Sequence, residues 1–160
     1  MCWMSSVLLK PKKAKADIWV YKVVKESPYS DYVDAFYTGY RYKLGETYKL
    51  VFGIEPKINT FGEMEITYGF HSYSINKSVA GANKYCLIVR NKNSNDFLNF
   101  NATYDLEKLP IIALCKIPKG ATYYENADGE LVSNEIIIVN TAKLNRGDSL
   151  KCEQDFLNLR

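Results

Sequence analysis

The chain has 160 residues, 47% apolar and 24% charged, with a net charge of +3. That balance excludes collagen-like and disordered classes and predicts one packed domain burying about two thirds of its surface. A charge of +3 is too small to argue by itself for a nucleic-acid partner, and no apolar run approaches the roughly 18 residues of a membrane span.

Residues 1–16 read as a flexible basic extension, and residues 17–160 as a single globular domain. In "MCWMSSVLLKPKKAK" the apolar stretch is too short for a signal h-region, and its lysines follow the stretch instead of preceding it. Lys10, Lys12, Lys13 and Lys15 flank Pro11 without periodicity. They form either a phosphate-binding arm or a solvated tail, and this is the one route by which nucleic acid is expected to be held.

"DIWVYKVVK" is rich in β-branched and aromatic residues, so a first strand is predicted at Ile18 to Val24. Six of the thirteen tyrosines then fall between Tyr29 and Tyr48. They are either an aromatic recognition patch or half-buried rings with wet hydroxyls. Ser-Pro, Thr-Gly and Leu-Gly-Glu cut this region into loops, with a strand at Thr47 to Phe52. Met64, Ile66 and Tyr68 alternate as a half-buried strand does, and Gly69 marks a bend or a close backbone approach.

The clearest helix is predicted next. Ser74 is placed to cap it, and Ile75, Val79, Ala82 and Cys86 share one face. Gly81 costs it about 1 kcal/mol against alanine, which a close helix–sheet contact would offset. "CLIVR" reads as a short strand and "NKNSND" as a loop. "LPIIALCKI", bounded by Pro110 and Pro118, is the apolar run of a central strand. "TYYENADGELVSN" is a hairpin turning at Asp128 and Gly129, "EIIIV" a further buried strand, and Ser149 to Leu159 a short terminal helix. The expected class is α+β with a β majority, its sheets mixed or antiparallel around one clear core helix.

Cys2, Cys86, Cys115 and Cys152 make no CxxC pair and match no zinc spacing. A reducing compartment follows, and the sequons at Asn76 and Asn101 and the "RGD" from Arg146 then have no mechanism. With His71 as the single histidine, and with no GxGxxG, Walker loop or HExxH, hydrolase, kinase and zinc-enzyme chemistry lose their usual residues. Acid–base work would rest on His71, a carboxylate or a tyrosine. No metal site is expected.

Gly69-Phe70-His71, Ala82-Asn83-Lys84-Tyr85-Cys86, Ile112 to Tyr123 and Asn134-Glu135-Ile136 fall in an order that resembles the ADP-ribosyltransferase fold in its poly-ADP-ribose polymerase-like branch. The likeness spans Ile66 to Val139. That resemblance implies NAD as co-substrate, with Glu135 as the glutamate that holds a ribose hydroxyl beside a cationic transition state. It puts His71 where an aromatic ring stacks on nicotinamide, and Tyr73 beside it as a ligand contact. On the first strand Lys22 or Tyr21 stands where a histidine or arginine is usual, and lysine lacks arginine's planar fork. Against this, Glu135 also fits a solvent-facing strand start, His71 a backbone-bonded junction residue, and Tyr85 and Tyr123 core positions. "YKLGETY", "GFHSY", "IPKGATYYE" and "GELVSNEI" further resemble small uncharacterised proteins of bacteriophages and gut bacteria, which implies the cytoplasm of a bacterium or a phage-infected host. Two functions are therefore expected to compete. One is a non-enzymatic interaction module with a protein partner and a degenerate cleft. The other is an NAD-consuming transferase using Glu135 and His71, and only this second one needs a cofactor.

Overall fold

The computed structural model describes residues 3–35, 40–51, 54–67, 69–82, 84, 110–141 and 156–160, with the side chains at 71–74 and 110 outside the described set. In chain order the strands are β1 (Trp3–Ser5), β2 (Lys12–Lys13), β3 (Ile18–Glu26), β4 (Tyr32–Ala35), β5 (Arg41–Lys43), β6 (Thr47–Lys49) and β7 (Pro56–Ile58). They continue with β8 (Met64–Ile66), β9 (Phe70–Asn76), β10 (Pro110–Ile117), β11 (Thr122–Glu125), β12 (Glu130–Ser133) and β13 (Glu135–Thr141). Every described ladder is antiparallel.

The larger sheet closes on itself. β10 and β11 run one after the other along β13 and β12, a long hairpin whose turn is residues 126–129. Asn126 makes that turn: its Oδ1 accepts the N–H groups of Asp128 at 3.0 Å and Glu130 at 3.1 Å, and Gly129 takes φ 77°. β3 pairs with β10 along its whole length. β9 then joins β3 back to β12, with Ile75 opposite both Lys22 and Leu131. The ring β3–β10–β13/β12–β9 is a small barrel, bent by register shifts at Leu114/Cys115 and Leu131/Ser133.

Alternation decides what each strand buries. From β10, Ile111, Ala113, Cys115 and Ile117 point into the barrel with Val20, Val24, Ile75, Leu131, Ile136 and Ile138. Ile112 and Leu114 face outward with Tyr21 and Val23, under a lid made by Val79, Ala82 and Phe156. A strand covered on both faces has no reason to alternate, which is why "PIIALC" is continuously apolar. A third cluster joins Trp3, Met64 and Ile66 of the three-stranded sheet β1-β8-β7 to Tyr124 and Val132 on the outside of the hairpin. Gly69, at φ 138°, lies where a Cβ would come within 2.6 Å of Val132 Cγ2, the close approach its position predicts.

Three expectations need correction. The class is not α+β around a core helix: among the described residues strand accounts for 52% and helix for 7%, with one short helix, and only the expected β majority holds. That helix also begins later than its apolar spacing implies. Ile75 belongs to β9, and Ser78, not Ser74, is the cap, its Oγ accepting the Gly81 N–H at 3.1 Å while its carbonyl accepts the Ala82 N–H at 3.2 Å. Asn76 ends the strand by accepting the Ser78 N–H at 3.3 Å, so Ile75 is buried by strand pairing and not by a helix face. Nor do residues 3–14 hang free. β1 pairs with β8, β2 pairs with β11, and Trp3 is buried with its Nε1 donating to the Glu130 carbonyl at 3.2 Å.

The expected strand at Cys86 to Arg90 and the loop after it lie outside the described residues, as do Tyr68, Asn83, Tyr85 and Cys86. Of the terminal helix, only Phe156 and Leu157 are described as helical. Of tyrosines 29–48, Tyr37 lies outside the described residues and the others divide between core and surface. Tyr42 is buried, 4.9 Å from Tyr40, 5.1 Å from Tyr48 and 6.2 Å from Phe70, while Tyr29 is exposed beneath the Arg41 guanidinium at 4.8 Å.

Candidate functional site

Charge gathers around a concavity in the described surface. It starts from the cationic run: β2 lies in register on β11, with Lys12 opposite Tyr123 and Lys13 opposite Thr122. Ala14 then locks the segment, because its N–H donates to the Ala121 carbonyl at 2.9 Å and its carbonyl accepts the Gly120 N–H at 2.8 Å. The chain turns past Lys15 and Ala16 into β3. The result is an open groove of about 570 Å³ lined by Lys12, Lys13, Lys15, Ala16, Asp17, Ile18 and Tyr123.

Asp17 organises its far wall. The carboxylate accepts the Lys119 N–H at 2.9 Å and meets Lys116 Nζ at 3.5 Å. The Lys119 N–H, aided by the Lys116 charge, holds this carboxyl below the usual carboxylate range. Lys116 in turn lies 5.7 Å over the Trp19 ring, and the Arg160 guanidinium lies 4.8 Å over it. One acid is thus tied into a surface of five lysines and an arginine, with rings at Tyr123 and Trp19. Three cations whose backbone is held around one concavity repel one another, and a polyanion relieves that repulsion.

The residues that the resemblance singled out lie elsewhere. Tyr21 and Lys22 are each 1% exposed and leave β3 on opposite faces. Tyr21 packs edge-on to Phe156 at 5.3 Å in the outer core, and its hydroxyl is buried without a hydrogen bond among the described residues. Lys22 follows the Val20–Val24 face into the barrel, where burial pushes its ammonium down to about 8, opposed by Cys115. Burial pushes the Cys115 thiol up to about 12, with Lys22 pulling it back. Glu135 is half-buried at the start of β13, opposite Lys49 of β6, its N–H donating to Ser133 Oγ at 3.2 Å. The Phe70–Ser133 pairing puts the backbones of His71 and Glu135 at the same end of the barrel. The side chains of His71 and Tyr73 lie outside the described residues.

Sequence reasoning isolated the lysines but not Asp17, Lys116, Trp19 or the groove face of Tyr123. The run "KPKKAKAD" was the available signal. Its partners come from strands about a hundred positions away, and no local pattern encodes that pairing. Among the described residues no group of three metal-ligating side chains gathers, and no helix is long and apolar enough to cross a membrane. No family model, curated protein or solved structure matches the chain.

Proposed function

We propose that this chain is a non-enzymatic binding module, an accessory protein of a bacterial or phage-infected cytoplasm, whose working surface is the basic groove. Its ligand is a polyanion bearing phosphates. The observation that carries this is the placement of Lys12, Lys13 and Lys15 around one concavity by backbone pairing to β11 and to the turn at Gly120–Ala121. Lysines on a tail lose chain entropy when they converge on a ligand. Lysines on a paired strand have already lost it, so more of the electrostatic gain appears as affinity. Lys and not Arg suits a diffuse anionic polymer, since an ammonium is a point charge without a bidentate preference.

Inorganic polyphosphate titrated into the protein at low salt tests this, with Lys12→Gln/Lys13→Gln/Lys15→Gln beside the wild type. Saturable heat with the wild type, weakened at least tenfold in the triple variant and steeply by added salt, is the expected outcome. Absence of binding by the wild type, or equal binding by both proteins, would remove the groove as the working surface.

A further inference from the structure

We infer that the polymer held in this groove is single-stranded nucleic acid, bound without sequence preference, with a base stacked on the groove face of Tyr123. The inference rests on the polyanion reading above and narrows it. A run of cations lies between two rings on this surface, Tyr123 in the groove and Trp19 beyond it. Tyr123 faces Lys12 across the β2–β11 ladder, Lys13 and Lys15 follow, Asp17 leads to Lys116, and Lys116 lies over Trp19. A single strand offers both phosphate charge and flat π-faces, and proteins that bind it combine a cationic track with stacking platforms. Polyphosphate and anionic lipid offer no flat face for Tyr123.

The shape of the groove selects further. A duplex keeps its bases paired and stacked inside and would offer this recessed wall only phosphates, whereas a single strand can turn an unpaired base into it. A bilayer is flat and engages surfaces that project into its interface, which disfavours lysines lining a concavity. Sequence readout beyond what a lysine gives at guanine needs free amide, guanidinium or carboxylate groups. Among the groove residues the one such group is Asp17, already held by Lys119 and Lys116. The strand is therefore gripped by backbone and stacking, whatever its bases.

Fluorescence anisotropy with a labelled oligothymidylate of about 12 nucleotides, a length within the site size of one small barrel, tests this. The competitors are the matching duplex, polyphosphate and phosphatidylserine vesicles. The single strand should bind at least tenfold tighter than the duplex. Its affinity should fall with salt at a log–log slope of about −2, from three lysines at about 0.7 each. Tyr123→Leu, which keeps apolar bulk against the core, should weaken the single strand about tenfold and polyphosphate less than twofold, while Tyr123→Phe should change neither. If duplex or vesicles bind as well as the single strand, or Tyr123→Leu weakens both polymers alike, the nucleic-acid inference is overturned while the polyanion reading stands. If the wild type binds neither polyphosphate nor oligothymidylate, both fall. Should Tyr123→Leu not fold, the wild-type preference for single strand over duplex decides the matter alone.

Discussion

At the scale of single residues, Gly81 shows how a local rule is reversed by a neighbour. In an isolated helix, alanine there would gain about 1 kcal/mol. Here a Cβ on Gly81 would fall on the carboxamide of Asn76. Asn76 is 2% exposed and is held in place by accepting the Ser78 N–H, so it has little room to yield. Gly81→Ala should therefore destabilise the protein by about 1–3 kcal/mol, the usual cost of overpacking. The added cost should vanish when Asn76 is also made alanine. Urea unfolding of the two single variants and the double measures both, and a stabilised Gly81→Ala would contradict the close contact. The sequence indicated a close approach at this glycine. It did not indicate the partner, because Asn76 reads equally well as the first turn of a helix and as the end of a strand.

At the scale of elements, the N-terminal segment is the most informative. Its lysines and single proline read as a tail, yet Trp3 lies 4% exposed and 6.1 Å from Tyr124. Asn126 Nδ2 also donates to the Met4 carbonyl at 3.0 Å, tying β1 to the hairpin turn. Trp3→Ala should cost about 3–5 kcal/mol through the cavity it leaves against Met64, Ile66 and Val132. A change in the urea midpoint worth less than about 0.5 kcal/mol would show that β1 is not seated as described. Besides β6, six strands were legible for a plain reason: β3, β8 and β10–β13 carry alternation or continuous apolar runs that survive any packing. The helix misreading has an equally plain cause. Ile75, Val79 and Ala82 are all buried at helical spacing, but by two different elements.

At the scale of the whole molecule, the barrel interior carries two titratable groups that pull stability in opposite directions with pH. Lys22 is lowered from an ordinary 10.5 to about 8. Below pH 8 the folded state bears the full cost of a buried ammonium. Between about 8 and 10.5 the unfolded chain binds more protons, so stability rises with pH. Cys115 is raised from 9.0 to about 12, so above pH 9 the unfolded thiol ionises first and stability falls. Tyr42, raised by burial from 10.0, adds to that fall from pH 10 upward. Stability should peak near pH 9, about 1 kcal/mol above its value at pH 8. Lys22→Met should flatten that rise and be the more stable protein below pH 8. Urea midpoints taken from pH 6 to 11 would exclude this balance if they declined steadily from pH 8.

The sequence by itself determined where most strands lie, that β10 is a central strand, that the turn falls at Asp128–Gly129, and that a cluster of lysines precedes the first long strand. These follow from local physics: side-chain period, β-branched content, and the backbone freedom of glycine. Tertiary structure alone decided that the sheet closes into a barrel, that Lys22 is buried inside it, and that Lys12 and Lys13 lie opposite Tyr123 and Thr122, with Lys15 and Asp17 on the same groove. Each of these depends on which strand pairs with which. A strand's own residues specify that it will pair and which face it buries, but its partner is chosen by the rest of the chain. The groove is made by such a choice, between residues 12–17 and 116–123.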